Sequence, residues 1–300
     1  MLKKKHIIFL LLSLVILYFV SNYNKNIYNF EGNKFSYSSY RGDVFYNISL
    51  KEKNESFSLY KIDFETRDFE KEKLRIHGLL YKPNNKENIQ GIVYLPGGGA
   101  SKESRDSILR MLAREGYATL VIDQRGIGET GGLYLSYEQD YTYFSQGKEP
   151  MQHLATYDAL RSYDILKDIE GIDKTKIIFI GESMGGRYAI IAGAIEKRIK
   201  GVITISSSGF DYKSNPLLPY NSYFLSIDPD NYVADISPNK FFILHGTNDT
   251  IIPLENAKKT FLKAKEPKKI FVAQDCEHGY CVKMKEELLK YLELIFKDEN

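Results

Sequence analysis

Cysteine, net charge and long apolar runs are all scarce in this 300-residue sequence, and each scarcity narrows the choices. Two cysteines, Cys276 and Cys281, cannot build a disulfide framework. A chain of this length buries enough apolar surface to fold without disulfide or metal staples. Lys+Arg (41) and Asp+Glu (39) nearly cancel to +2, so the concentrated basic face that a nucleic-acid partner wants is not expected. A hydrophobic share of 43% with 27% charged residues is that of a globular protein. There is no internal repeat and no long low-complexity tract.

The longest apolar run stands at the N-terminus. Lys3 to Lys5 form a positive leader, and Ile7 to Val20 follow without a charge. As a helix the run covers about 21 Å, short of the roughly 30 Å hydrocarbon core. The pattern fits a signal peptide or an N-terminal membrane anchor over 1–22, and no A-x-A cleavage signature follows. Positive residues ahead of the run put the body outside the cytoplasm, anchored in the membrane or secreted. In that compartment Cys276 and Cys281 can pair, closing a tight loop around His278. Two free thiols are the rival reading. A metal held by Cys276, His278 and Cys281 is weaker, since no second ligand pair has zinc-type spacing.

Residues 23–56, rich in Asn, Lys, Ser and Tyr, read as a linker or irregular lead-in. Within it Asn47-Ile-Ser and Asn54-Glu-Ser match the glycosylation sequon, a cheap match in Asn-rich sequence. From Phe57 the pattern changes. FSLYKIDFETRD and LRIHGLLYKP alternate about a charged break and predict an antiparallel strand pair. Continuous apolar runs follow at 91–96, 118–123, 176–181, 201–206, 240–246 and 269–274, as strands buried on both faces require. Helices are predicted between them at 104–115, 153–167, 184–196, 254–263 and 282–296. The alternation predicts an α/β fold, with a mostly parallel sheet, helices on both faces and an antiparallel N-terminal edge. Two aromatic-rich segments, 131–151 and 209–239, interrupt it. Both follow strand C-terminal ends, where open α/β sheets bind ligands, and they read as pocket walls or a partial lid.

The central chemical signal is KIIFIGESMGGRYAI. Gly181-Glu182-Ser183-Met184-Gly185 is G-x-S-x-G at the switch from a buried strand to a small-residue helix. That shape holds a serine on a strained turn, and the helix N-terminus offers N–H groups to a developing oxyanion. Glu182 and Met184 read as packing and hydrogen-bonding neighbours.

With these residues the chain resembles the α/β-hydrolase family from about Phe57 to Phe296. The resemblance implies a single α/β-hydrolase domain over 57–297 with a small loop-type cap. Family order is nucleophile, acid, histidine. KFFILHGTNDTIIP supplies Asp249 beyond a strand, and FVAQDCEHGY supplies His278 before the last helix. The implied catalytic set is Ser183, Asp249 and His278. The implied oxyanion hole is the N–H of Met184 with that of Gly98 from YLPGGGA, Gly99 being the alternative. A phosphate loop is the rival there, but no G-K-[ST] follows. Asp123 and Arg125, from an Asp-x-Arg-Gly-x-Gly run also similar to the family, read as structural, with substrate contact the alternative for Arg125. His245 reads as packing, and His6, His77 and His153 match no catalytic position. Arg187 lies near the mouth or is buried and paired.

The implied reaction is ester hydrolysis of a small acyl substrate, carboxylesterase-like, through an acyl-enzyme and without metal or organic cofactor. A prolyl or dipeptidyl serine peptidase is the runner-up, lowered by the lack of a recognisable propeller. A non-catalytic binding protein on the same fold is the rival from another class. The lack of a large lid domain weighs against a lipase. A serine where dehalogenases and epoxide hydrolases carry a carboxylate weighs against those chemistries.

Overall fold

The computed structural model describes residues 27–84 and 86–297, so the leader expected over 1–22 lies outside the described residues. Among the described residues no helix is long and apolar enough to cross a membrane. The strands are β1 (Tyr28–Glu31), β2 (Lys34–Tyr37), β3 (Tyr46–Lys53), β4 (Phe57–Arg67), β5 (Lys73–Pro83) and β6 (Ile89–Leu95). They continue as β7 (Ala118–Ile122), β8 (Ile172–Glu182), β9 (Gly201–Ile205), β10 (Lys240–Gly246) and β11 (Lys268–Ala273).

Nine of these form one sheet in the order β11-β10-β9-β8-β6-β7-β5-β4-β3. Pairings from β7 through β11 are parallel, and β5, β4 and β3 add an antiparallel edge. β7 lies on one side of β6 and β8 on the other. The chain therefore reverses its winding there, the position beyond whose strand carboxyl ends open α/β sheets bind ligands.

Both faces are covered because alternate side chains along each central strand enter separate cores. Val93 and Leu95 of β6 join the core under α3 (Met151–Asp168) and α4 (Met184–Ile195). Ile92 and Tyr94 join the core under α1 (Asp106–Glu115) and α7 (Lys285–Phe296). In α1 the buried residues Ile108, Leu109, Leu112 and Ala113 form one apolar stripe. The helix ends at Gly116, whose φ of 101° a side chain would resist and whose N–H reaches Ala113 O. α6 (Leu254–Lys263) lies between β10 and β11 in the chain.

The linker reading of 23–56 is corrected for its described part, which carries β1, β2 and β3. β3 is the exposed sheet edge, so its polar composition hides a strand. The β1–β2 hairpin buries Phe35 and Tyr37 on alternate positions, too few to make a visible period.

The two interrupting segments contain short helices, α2 (Tyr137–Ser145) and α5 (Asn221–Ile227), which meet through aromatic rings. Tyr141 packs on Tyr220 and Tyr223, and Phe144 on Tyr223. These two segments form one small cap above the strand ends.

Candidate active site

Ser183 stands between β8 and α4 with φ 52° and ψ −119°, in a region that side chains adopt only under local constraint. The constraint is visible. Ser183 N–H donates to Ile205 O at 2.9 Å, and its own carbonyl accepts from Ser207 Oγ at 2.7 Å. A Cβ on Gly185 would come within 2.1 Å of Leu95 O, so only glycine lets α4 approach β6. The turn is clamped by both neighbouring strands.

Asp249 follows β10 and turns back onto its own loop, where its Oδ1 accepts the N–H groups of Ile251 (3.1 Å) and Ile252 (2.8 Å). Both its oxygens lie 2.9 Å from His278 Nδ1. The acid and histidine loops are zipped together: Asn248 N–H donates to Cys276 O (2.9 Å), and Asp275 N–H to Thr247 Oγ1 (2.8 Å). Cys276 and Cys281 form a disulfide that brackets His278.

The histidine loop also touches the serine turn. Tyr280 N–H points to Glu182 Oε2 at 3.4 Å, and Ser206 Oγ to Gly279 O at 3.4 Å. Glu182 is buried and answers to Arg105, whose Nε lies 3.0 and 2.9 Å from its two oxygens, and to Tyr94 OH at 3.2 Å. Burial first, and the Glu182 charge next, keep the Tyr94 phenol protonated well above its ordinary range, so it acts as a donor.

The glycine loop after β6 lies over the nucleophile turn. A Cβ on Gly97 would sit 3.4 Å from Ser183 Cβ, and one on Gly98 would sit 3.4 Å from Met184 Cε. Asp123, fully buried, fixes this loop by accepting from Lys102 N (2.7 Å), Lys102 Nζ (2.8 Å) and Glu129 N (3.0 Å). Arg125 is paired with Asp158 at 2.6 Å. Both residues do the structural work expected of them.

His245 is buried, its Nε2 2.8 Å from Ile252 O and 3.4 Å from Asp249 Oδ2. A carbonyl accepts only from N–H, so the ring carries its proton on Nε2, and burial holds its pKa down. It braces the acid loop. His153 is enclosed by the cap and the β1–β2 hairpin, away from the triad.

Of the aromatic residues expected in the pocket walls, Tyr134 reaches the site: its OH lies 3.0 Å from the Cβ position of Gly98. Tyr137 OH accepts from Arg187 Nη1 at 2.9 Å. Tyr212 stacks on Phe224, and Tyr143 packs on Phe69. These last contacts are cap packing. Sequence reasoning missed Arg105 as the partner of Glu182 and Lys102 as the partner of Asp123. Their separations of 77 and 21 residues leave no local signal.

A family model described as alpha/beta hydrolase fold matches residues 91–225. The uncharacterized protein YfhR of Escherichia coli O157:H7 is 24% identical over 195 residues, 63% of this chain and 63% of its own length. The chain thus spans under two thirds of that relative. The acetyl xylan esterase from Paenibacillus sp. R4 superposes with a TM-score of 0.70 at 17% identity, covering 85% of this chain and 90% of that one. The glucuronoyl esterase from Solibacter usitatus gives 0.60 at 15% identity, over 87% of this chain and 88% of its own.

Proposed function

We propose, from the premise that this chain has the α/β-hydrolase fold, that it is a serine hydrolase cleaving a carboxylic ester. The observation that carries the reading is one juxtaposition. Ser183, on its constrained turn, adjoins the loop whose His278 is held by Asp249 through both carboxylate oxygens at 2.9 Å.

In this reading Asp249 fixes the His278 proton on Nδ1, leaving Nε2 as the basic nitrogen. Nε2 takes the Ser183 proton as Oγ attacks the acyl carbon. The same proton then goes to the leaving alkoxide, and an acyl-enzyme remains. Water, deprotonated by Nε2, completes the cycle. Charge on the tetrahedral oxygen is met by the N–H groups of Met184, at the start of α4, and Gly98. No step calls on a metal or an organic cofactor.

The Cys276–Cys281 disulfide fits an oxidising compartment and so accords with export through the leader at 1–22. The membrane is then a partner through that leader if it is kept.

Hydrolysis of p-nitrophenyl acetate, butyrate and octanoate tests the assignment, with Ser183→Ala as the paired variant. Activity lost in the folded variant supports it, and the chain-length preference sizes the pocket. Equal activity in both proteins would sink the triad. A folded parent inert on all three esters moves the reading to aminoacyl-proline amides, the substrates of the serine peptidase alternative.

A further inference from the structure

Arginines that are not exposed have a consistent chemistry in this molecule, with one exception. Arg41 pairs with Asp164 and Glu196, Arg67 with Glu149, and Arg105 with Glu182. Arg110 pairs with Glu52 and Asp106, Arg125 with Asp158, and Arg161 with Asp164. Arg187 has neutral partners instead. Its Nε donates to Ser208 O at 3.3 Å and its Nη1 to Tyr137 OH at 2.9 Å, while the guanidinium lies over the Phe210 ring at 4.4 Å. No carboxylate of the described residues pairs with it.

The buried carboxylate of α2 is already engaged. Asp140 accepts from Gln152 N at 3.1 Å, from Tyr223 OH at 2.9 Å and from Met151 N. Those donors satisfy both its oxygens, and none of them is Arg187. A guanidinium has five N–H donors, and the two contacts above leave Nη2 without a protein acceptor among the described residues. The unspent donors of a partly buried guanidinium are left to water unless a ligand takes them.

Its place makes that unspent charge useful. Arg187 is four residues beyond Ser183, one turn into α4 and about 6 Å along its axis. Tyr137 and Phe210, which hold it, come from the two cap segments that cover the strand ends. The cation therefore stands against both cap segments, on the helix that begins at the nucleophile turn.

We propose that Arg187 is a specificity-determining residue, and that the ester this site cleaves carries an anionic substituent, a carboxylate a few carbons from the scissile carbonyl. This rests on the Ser183 reading above. The planar fork of Nη2 and Nη1 suits a carboxylate, and Phe210 beneath it fixes its plane. Substrate binding then gives Arg187 the counter-ion that the other arginines obtain from the protein.

The test is the ratio of kcat/KM for an anionic ester to that for a neutral ester of matched length. In the acyl series, p-nitrophenyl hemiglutarate and hemiadipate are compared with p-nitrophenyl valerate. In the alcohol series, the butyrate ester of p-hydroxybenzoate is compared with phenyl butyrate. In at least one series the wild-type ratio is expected to exceed that of Arg187→Met by about tenfold or more, with Arg187→Lys between them. A ratio unmoved by Arg187→Met in both series overturns the proposal, while Ser183→Ala reports separately on the nucleophile. If no ester is cleaved through Ser183, binding decides. Glutarate, but not glutaramide, should raise the melting temperature of the full chain, and Arg187→Met should abolish the difference. Equal shifts in both proteins overturn it.

Discussion

The Arg105 guanidinium closes over the Glu182 carboxylate, one residue before Ser183, with its Nε 2.9 Å from Oε2. Glu182 is 2% exposed and Arg105 36%, so water reaches the cation but not the anion. Because Glu182 also meets Tyr280 N–H, this pair couples the serine turn to the histidine loop. Replacing Arg105 by Met leaves a buried carboxylate unpaired, and is expected to cost about 1–3 kcal/mol. Urea denaturation measures that loss, and kcat on p-nitrophenyl butyrate should fall with it. A variant as stable and active as the parent removes the coupling.

Asp249→Asn keeps the shape of the acid and its two backbone bonds but no longer imposes the His278 tautomer. The expected result is a fall in kcat of about a thousandfold or more, with the melting temperature little changed. Steady-state kinetics beside circular dichroism separates the two effects. A drop under tenfold would transfer the role to another carboxylate.

The disulfide between Cys276 and Cys281 spans a separation of five residues. Closing so short a loop stabilises the folded chain by about 2 kcal/mol in the chain-entropy account. Cys276→Ser with Cys281→Ser is therefore expected to lower the melting temperature by several degrees. Because the loop carries His278, kcat should fall by more than the unfolded fraction explains at an assay temperature well below the transition. Dithiothreitol on the wild type should reproduce both changes, and a null effect on kcat would make the bridge purely a matter of stability.

His153 is wholly buried, its Nδ1 3.0 Å from Tyr28 OH and its Nε2 2.8 Å from Ser226 Oγ. Ser226 Oγ donates to Tyr223 O, so it accepts from His153 Nε2–H and the ring is satisfied while neutral. Burial holds its folded pKa well below the ordinary value near 6.5. Below pH 6.5 the unfolded chain takes up a proton that the folded chain refuses, so stability falls as the pH drops. Denaturation curves at pH 5 to 8 should show that slope, and His153→Gln should flatten it. His245, also lowered by burial, adds a slope of the same sign that this variant retains.

Much of this was legible because buried strands declare themselves. β10 and α6 have the bounds that apolar periodicity predicts, and G-x-S-x-G marks the turn itself, although the strands that clamp it, through Leu95 and Ile205, lie far along the chain. The cap was legible only as a location. In α2 the buried residue is Asp140, which accepts the N–H groups opening α3. A helix buried through a carboxylate shows no apolar stripe. Nor do charge pairs between distant segments: Arg41 meets Asp164 across 123 residues, a relation only the fold creates.

The β1–β2 hairpin has mechanical meaning. Phe35 N–H donates to Tyr232 OH at 2.9 Å, Phe30 packs edge-on against Phe144, and Lys34 reaches Asp235 at 2.6 Å. The hairpin thus grips both cap segments at once, like a hand on two shutters. The first described residues and the cap are therefore one packed unit, and the hairpin cannot shift without disturbing both cap segments.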